Sequence, residues 1–321
     1  MEGFVCPHQH QISLPSHNIQ QRGAMAFKRI VYLNLDRRPE RAARVEAQLD
    51  ASDLRTVPRT RVSATDGALL SAADLDALLT PTALEELTDV ETGSRKRRHH
   101  SQLTRGAVGC YLTHLRVWAQ VGASGAANDP VLVLEDDVTI PPNMGALFAT
   151  GLTQFLKLPH VPKLLMWMFV YCDMTGPKIS STQPVVPLTQ PWWSTQAYTI
   201  TPASARALAS HHRLRPLDMQ IDSALQFLPD LRVYGCSRLP ITNDGTSNIQ
   251  AHIVEGAPLY RRGSQRPKPN PAEPPQLSST SILVIVLVVV VVALGLGLGL
   301  GLGLGGLGGL KPNNPIQSIN P

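Results

Sequence analysis

Apolar residues recur in two rhythms along this chain: short unbroken runs, and longer stretches with helical spacing. RIVYLNL, Arg29 to Leu35, is rich in β-branched and aromatic residues and predicts a buried strand. Asp36 is placed to cap the next helix, which enters near Pro39, runs to about Asp50 and turns Val45 and Leu49 inward. Arg59 to Gly67 predicts a second strand ending in a turn, and Ser71 to Leu79 a short helix capped by Ser71. Thr82 to Ser101 is polar and ends in RKRRHH, which predicts an exposed loop. Thr104 caps the following helix, Arg105 to about Val121. There Val108, Tyr111, Leu112, Leu115, Trp118 and Val121 share one face.

Further along, VLVLED predicts a strand from Val131, followed by a helix near Gly145 to Lys157 and an apolar run at Leu164 to Val170. Gln196 to Thr201 predicts another strand. Thr201 and Pro202 then supply the N-cap and first position of a helix over Ala203 to Ser210. A helix over roughly Gln220 to Phe227 and a strand at Arg232 to Tyr234 complete the pattern. Strands alternating with helices predict an α/β layered sheet.

The pattern changes after the body. Residues 263–281 are rich in Pro, Ser and Gln, as an extended linker would be. Ile282 to Leu310 then holds 29 uncharged residues, where a membrane span needs roughly 20. Nine of the fifteen positions from Gly295 to Gly309 are glycine, each costing about 1 kcal/mol of helix propensity in water. Unpaired backbone groups cost more in lipid, so a helix can still form there. Arg261, Arg262, Arg266 and Lys268 precede the segment and only Lys311 follows it, which places the body on the cytoplasmic side. The expected organisation is an N-terminal extension over 1–25, a body over 26–258, a basic linker over 259–281, a membrane-associating segment over 282–310 and a tail over 311–321. The extension has no apolar core, so no cleaved secretion signal is expected.

Charge narrows the function classes. Of a net +5, residues 259–321 contribute +4, leaving +1 upstream, and Arg95 to Arg98 form a single run there. The rest of the body is slightly acidic, which argues against a broad nucleic-acid footprint. The basic run reads as a solvated loop, with nuclear targeting or an anionic surface as rival explanations. Cys6, Cys110, Cys172 and Cys236 are widely spaced, like idle thiols in a reducing compartment, and their spacing suggests no zinc site. His8, His10 and His17 are too loosely set for a metal site.

Candidate chemistry centres on Glu135, Asp136 and Asp137, three acids directly behind an apolar strand. Acids in that position project from the carboxyl edge of a sheet, where α/β proteins place their ligands. On extended chain Glu135 and Asp137 share a side while Asp136 points away. Two carboxylates beside a ligand crevice suit a hard divalent ion with positions open for phosphate oxygens; taken alone, the triplet is better explained as solvated acids, which are common after a strand.

Its company is more specific. NLDRRPER (Asn34 to Arg41), GAVGCYLTHLRVW (Gly106 to Trp118) and VLVLEDDV are followed by TQAYTITPASARAL, PLDMQID and LPITNDGTSNI. This ordered set, covering roughly Phe27 to Ile249, resembles glycosyltransferase family 25. Thr113 stands where that family usually has Ser, and Asn243 and Asn248 where Gln and Asp are commoner. The resemblance implies a GT-A-like fold, with a nucleotide-sugar-binding mixed sheet flanked by helices, here followed by a hydrophobic C-terminal tail. It also implies a UDP-sugar donor and a manganese-like divalent ion, with a hydroxyl-bearing acceptor as the second substrate; the near-neutral body separately argues against a nucleic-acid partner.

On that reading Glu135, Asp136 and Asp137 hold the metal and the ribose-phosphate region, and Asn34, Asp36, Arg37, His114, Gln196 and Tyr198 line the donor site. Each has a plainer explanation: Asp36 as a cap, Arg37 and Arg41 as solvated charges, His114 as a satisfied core residue. Asp66 and Gly67, which the family places near the nucleotide, are explained by a turn, and Trp192 and Trp193 either stack on sugar or pack the core. A base must take the acceptor's proton. Asp218 and Asp222, four apart and on one face if helical, are the candidates, with Asp222 preferred. The expected activity is hexosyl transfer, of galactose or glucose, by a membrane-attached enzyme; the alternative is a catalytically dead relative serving as a membrane-attached binding or scaffold protein.

Overall fold

The computed structural model describes residues 27–159, 161–171, 184–189, 191–236 and 241–243. The extension over 1–25, the linker, the candidate span over 282–310, the tail, Cys6, Cys172 and Asn248 lie outside the described residues. Among those described, no helix is long and apolar enough to cross a membrane.

The strands are β1 (Arg29–Asn34), β2 (Arg59–Ser63), β3 (Val131–Glu135), β4 (Val138–Thr139), β5 (Lys163–Met166), β6 (Val170–Tyr171), β7 (Val185–Pro187), β8 (Trp192–Trp193), β9 (Ala197–Ile200), β10 (Arg232–Cys236) and β11 (Thr242–Asn243). The α-helices are α1 (Pro39–Asp50), α2 (Ala72–Leu78), α3 (Pro81–Glu91), α4 (Arg105–Gly122), α5 (Met144–Lys157), α6 (Pro202–Ala209) and α7 (Ile221–Gln226). Seven strands form one sheet in the order β2-β1-β3-β9-β5-β10-β7. β1 runs parallel to both β2 and β3, and β5 parallel to β10, whereas β9 is antiparallel to β3 and β5 and β7 is antiparallel to β10. The predicted mixed α/β sheet is therefore present.

Both faces of the sheet are covered, which is why its central strands read as unbroken apolar runs. Val31, Leu33, Val131, Val133, Tyr198 and Ile200 pack in one core with Val108, Tyr111, Leu115 and Trp118 of α4. Ile30, Tyr32, Leu132 and Leu134 pack in the other with Val45 and Leu49 of α1 and Phe148 and Leu152 of α5. Ser71, Thr104 and Thr201 cap their helices through side-chain oxygens, as their positions predicted.

Four expectations are corrected. Asp36 does not cap α1; Arg38 is the N-cap, and Asp36 accepts hydrogen bonds from Arg61 and Ser63 instead. Thr82 to Ser101 is not an exposed loop: α3 occupies its first half, capped by Thr80 and entered through Pro81. The run Arg95 to Arg98 is not all solvated, because Arg97 is 0% exposed and donates to the carbonyls of His100 and Gln102. Asp218 and Asp222 do not share a helical face, since α7 begins only at Ile221.

Candidate functional site

A cavity of about 740 Å³ opens at the carboxyl end of β1 and β3. Its lining brings together Asn34 and Arg37, Arg38 and Arg41 from the β1–α1 connection, Thr65 to Gly67 after β2, Thr104 to Gly106 and Cys110 from α4, and the Glu135–Asp136–Asp137 triplet. The close approach of two backbones sets one wall. A Cβ on Gly109 would lie 2.4 Å from the carbonyl oxygen of Thr65, and one on Gly67 would lie 1.8 Å from that of Arg105. Thr113 fastens the same contact, since its Oγ1 accepts from the backbone N–H of Thr65 at 2.9 Å and donates to the Gly109 carbonyl at 2.7 Å.

The three acids part in different directions. Strand alternation turns Glu135 towards α4 and Asp136 towards α1. Asp136 is 9% exposed and accepts from Asn34 Nδ2 at 2.7 Å and from Arg41 Nη1 at 3.1 Å. Its repulsion with its neighbours is thus relieved by a buried amide and a guanidinium. Asp137 lies beyond the strand end, where Gln196 Nε2 donates to its Oδ2 at 2.9 Å. Glu135 Oε1 accepts from Thr195 Oγ1 at 3.0 Å and lies 3.3 Å from His114 Nε2.

His114 is 0% exposed, and its other nitrogen, Nδ1, is 2.9 Å from Tyr198 Oη. Trp118 Nε1, which can only donate, points at the same phenolic oxygen at 2.9 Å. The donors then fall into one consistent order: Trp118 to Tyr198, Tyr198 to His114 Nδ1, and His114 Nε2–H to Glu135. In that order His114 donates through Nε2 and accepts at Nδ1. Burial pushes the Tyr198 phenol well above its ordinary value, which fits its role as a hydroxyl donor. His114 and Tyr198 are therefore joined to the site through Glu135, and neither lines the cavity itself.

Asp222 is 8% exposed, at the start of α7. It accepts from the backbone N–H groups of Ser194 at 3.1 Å and Ser223 at 2.7 Å. Burial raises its carboxyl above the ordinary value, and the charge of Glu135 adds to that shift. Ser194 adopts φ 94°, a left-handed conformation unusual for a residue with a side chain. It sits between Asp222 and Gln196, whose Oε1 accepts from Ser194 Oγ at 3.1 Å. Asp218 faces elsewhere and accepts from Thr80 Oγ1 at 2.7 Å.

The remaining candidates are dispersed: Arg37 and Asp66 line the cavity, whereas Asp36, Trp192 and Trp193 do not. Arg37 pairs with Asp66, and that guanidinium holds the Asp66 carboxyl below its usual range. The Ser63 hydroxyl, and then Arg61, do the same for Asp36. Trp192 is buried in the core, whereas half-buried Trp193 packs against His100 with ring centroids 4.6 Å apart and the rings tilted by 33°.

Cys110, Thr195 and Arg97 were not singled out by sequence reasoning. Cys110 lies one helical turn before His114, a spacing visible in the chain. Burial pushes its thiol well above the ordinary value, with Glu135, Asp222 and Asp137 adding in that order. Arg97, whose charge burial disfavours and Asp222 favours, has no sequence signal that separates it from its solvated neighbours.

Sequence comparison agrees with this frame. The profile of glycosyltransferase family 25 (LPS biosynthesis protein) matches residues 27–225. The chain is 29% identical over 214 residues to inactive glycosyltransferase 25 family member 3 of Mus musculus, covering 64% of this chain and 32% of that protein. It is 30% identical over 122 residues to a glycosyltransferase 25 family member of Drosophila melanogaster, covering 38% and 18%. It is also 34% identical over 114 residues to procollagen galactosyltransferase 2 of Homo sapiens, covering 36% and 16%. The chain thus spans about a third or less of the length of these relatives. With a family profile matched across most of the body, and with the first three of its motif blocks lining one cavity, the chain belongs to glycosyltransferase family 25.

Proposed function

We propose that the chain binds a UDP-hexose, galactose or glucose, with a divalent cation such as Mn²⁺, and transfers the hexose to an acceptor hydroxyl on a glycan, lipid or protein. One observation carries the reading: a single cavity sets the N-terminus of α4 and Arg37, Arg38 and Arg41 against three carboxylates at the strand ends. Helix N-termini and arginines attract phosphate oxygens, while carboxylates attract the cation that phosphates bring. The donor set fits such an ion. It is all oxygen, as hard cations prefer, and both hydrogen bonds to Glu135 fall on Oε1, leaving Oε2 for another partner. Glu135 and Asp137 would hold the ion, with Asp136 supporting their loop through Asn34 and Arg41. When bound, the cation stabilises negative charge on the leaving diphosphate.

Asp222 is the base in this reading. Its raised affinity for a proton suits it to take one from the acceptor hydroxyl, and Asp218 is engaged by Thr80. Arg37 and Arg41 are already paired with Asp66 and Asp136, so donor phosphates would have to share or exchange those partners. Attachment to a membrane belongs to residues 282–310, with the body on the cytoplasmic side; release of the full chain by alkaline carbonate would count against it.

A second reading, binding without turnover, is favoured by the inactive label of similar relatives. The test is titration of UDP-galactose and UDP-glucose with and without Mn²⁺, alongside measurement of UDP release. Mn²⁺-dependent binding with release supports transfer, and binding without release with any acceptor class supports the second reading. No binding of either donor overturns both.

A further inference from the structure

We propose a second metal centre beside the cavity, selective for a borderline-soft divalent ion such as Zn²⁺ and built from Cys110, His114 and Glu135. One ligand atom from each lies within 4.8 Å of the other two. Thiolate, imidazole and carboxylate are the ligand types that such an ion takes in tetrahedral sites, three from protein and a fourth position open. Cys110 and Glu135 line the cavity, so the fourth position faces the space that small molecules enter. The site escapes motif reading because its ligands come from two elements: Cys110 and His114 stand one turn apart on α4, and Glu135 ends β3.

The separation of His114 Nε2 from Glu135 Oε1, 3.3 Å, is long for a hydrogen bond to a carboxylate. It matches the ligand-to-ligand edge of tetrahedral zinc, about 3.3 Å for bonds of the usual length. An approach by the thiol on the order of 1 Å completes the set. Support behind the ligands is in place: Thr195 donates to Glu135, and Tyr198 Oη contacts His114 Nδ1, as partners of ligating imidazoles and carboxylates do. Binding releases the Cys110 thiol proton to solvent and moves the His114 proton from Nε2 to Nδ1. There it points at the Tyr198 oxygen, which accepts it beside the Trp118 N–H. One phenolic hydrogen loses its acceptor, set against three new bonds to metal. This centre does not depend on the transferase reading, because it needs neither nucleotide nor turnover.

The test titrates the metal-free full chain, kept reduced, with Co²⁺ while recording absorption. The expected result is one equivalent of tetrahedral cobalt with a thiolate-to-cobalt charge-transfer band, bleached by stoichiometric Zn²⁺. Cys110→Ser should abolish that band and weaken Co²⁺ binding more than about tenfold, with circular dichroism confirming the fold. Glu135→Gln, which keeps side-chain volume, should weaken binding by a similar factor and retain the band. Asp137→Asn, in the oxygen site, and Cys236→Ser, in β10, should change affinity by less than about twofold. A band that survives Cys110→Ser, cobalt bound without a thiolate band, or a Co²⁺ signal that Zn²⁺ cannot displace overturns the proposal.

Discussion

Tyr198 Oη lies 2.9 Å from His114 Nδ1, with both side chains buried between α4 and β9. That bond is the middle of a relay ending at a carboxylate that lines the cavity. Tyr198→Phe leaves two buried polar groups, Trp118 Nε1 and His114 Nδ1, without their partner. The expected cost is about 1–3 kcal/mol, read as a lower urea midpoint at unchanged slope. A midpoint equal to that of the parent chain would refute the relay.

Asp222 supplies a pH test. Its folded-state carboxyl is raised above the ordinary value of 3.8, so the folded chain holds that proton more tightly than the unfolded chain. The corresponding stability is complete at low pH and is lost as pH rises from the ordinary value through the raised one. Carboxylates lowered by partners, such as Asp66, act in the opposite direction, so the comparison has to be with a variant. Asp222→Asn should give a stability curve that falls less than the parent's as pH increases from acid towards neutral. Parallel curves for the two proteins would exclude a raised Asp222.

Gly109 tests the wall of the cavity. An added methyl group would meet the Thr65 carbonyl at 2.4 Å and the Gly67 amide at 2.7 Å, both backbone atoms that cannot swing aside. Gly109→Ala should therefore cost about 1–3 kcal/mol by forcing apart α4 and the turn after β2. Thermal unfolding measures the loss, and an unchanged or raised Tm contradicts the contact.

For the proposed chemistry, Asp137→Ala should abolish Mn²⁺-dependent UDP-hexose binding while leaving metal-independent binding nearly intact. Calorimetric titration separates these two contributions. Equal Mn²⁺ enhancement in parent and variant removes Asp137 from the ion's ligands.

Much of this architecture was legible because the sheet is covered on both sides. Continuous apolar runs marked β1, β3 and β9, and Thr201–Pro202 marked the start of α6. The same Thr–Pro signal at Thr80–Pro81 opens α3, yet the polar character of the stretch that follows concealed Ala83 and Leu87, which face the core. Two-residue strands such as β6 and β8 are too short for periodicity to register. In the site, the acidic triplet and its neighbours on β1 and α4 could be read from local patterns. The separation of Asp218 from Asp222 could not, because it depends on where α7 starts and on Thr80, 138 positions away from Asp218. Asp36 was misplaced for a related reason: Arg61 and Ser63, on a neighbouring strand, compete for the oxygens that would have capped α1.

The reversed direction of β9 has a consequence for how this family member can diversify. Because β9 starts where β3 ends, the Glu135 N–H bonds to the Gln196 carbonyl at 2.8 Å, and Thr195 and Gln196 arrive at the acidic rim by strand register. Register with β3, rather than the length of the connection from β5, therefore sets where those two side chains stand. A change of length confined to the start of that connection would then leave the acidic rim and its two polar partners in place.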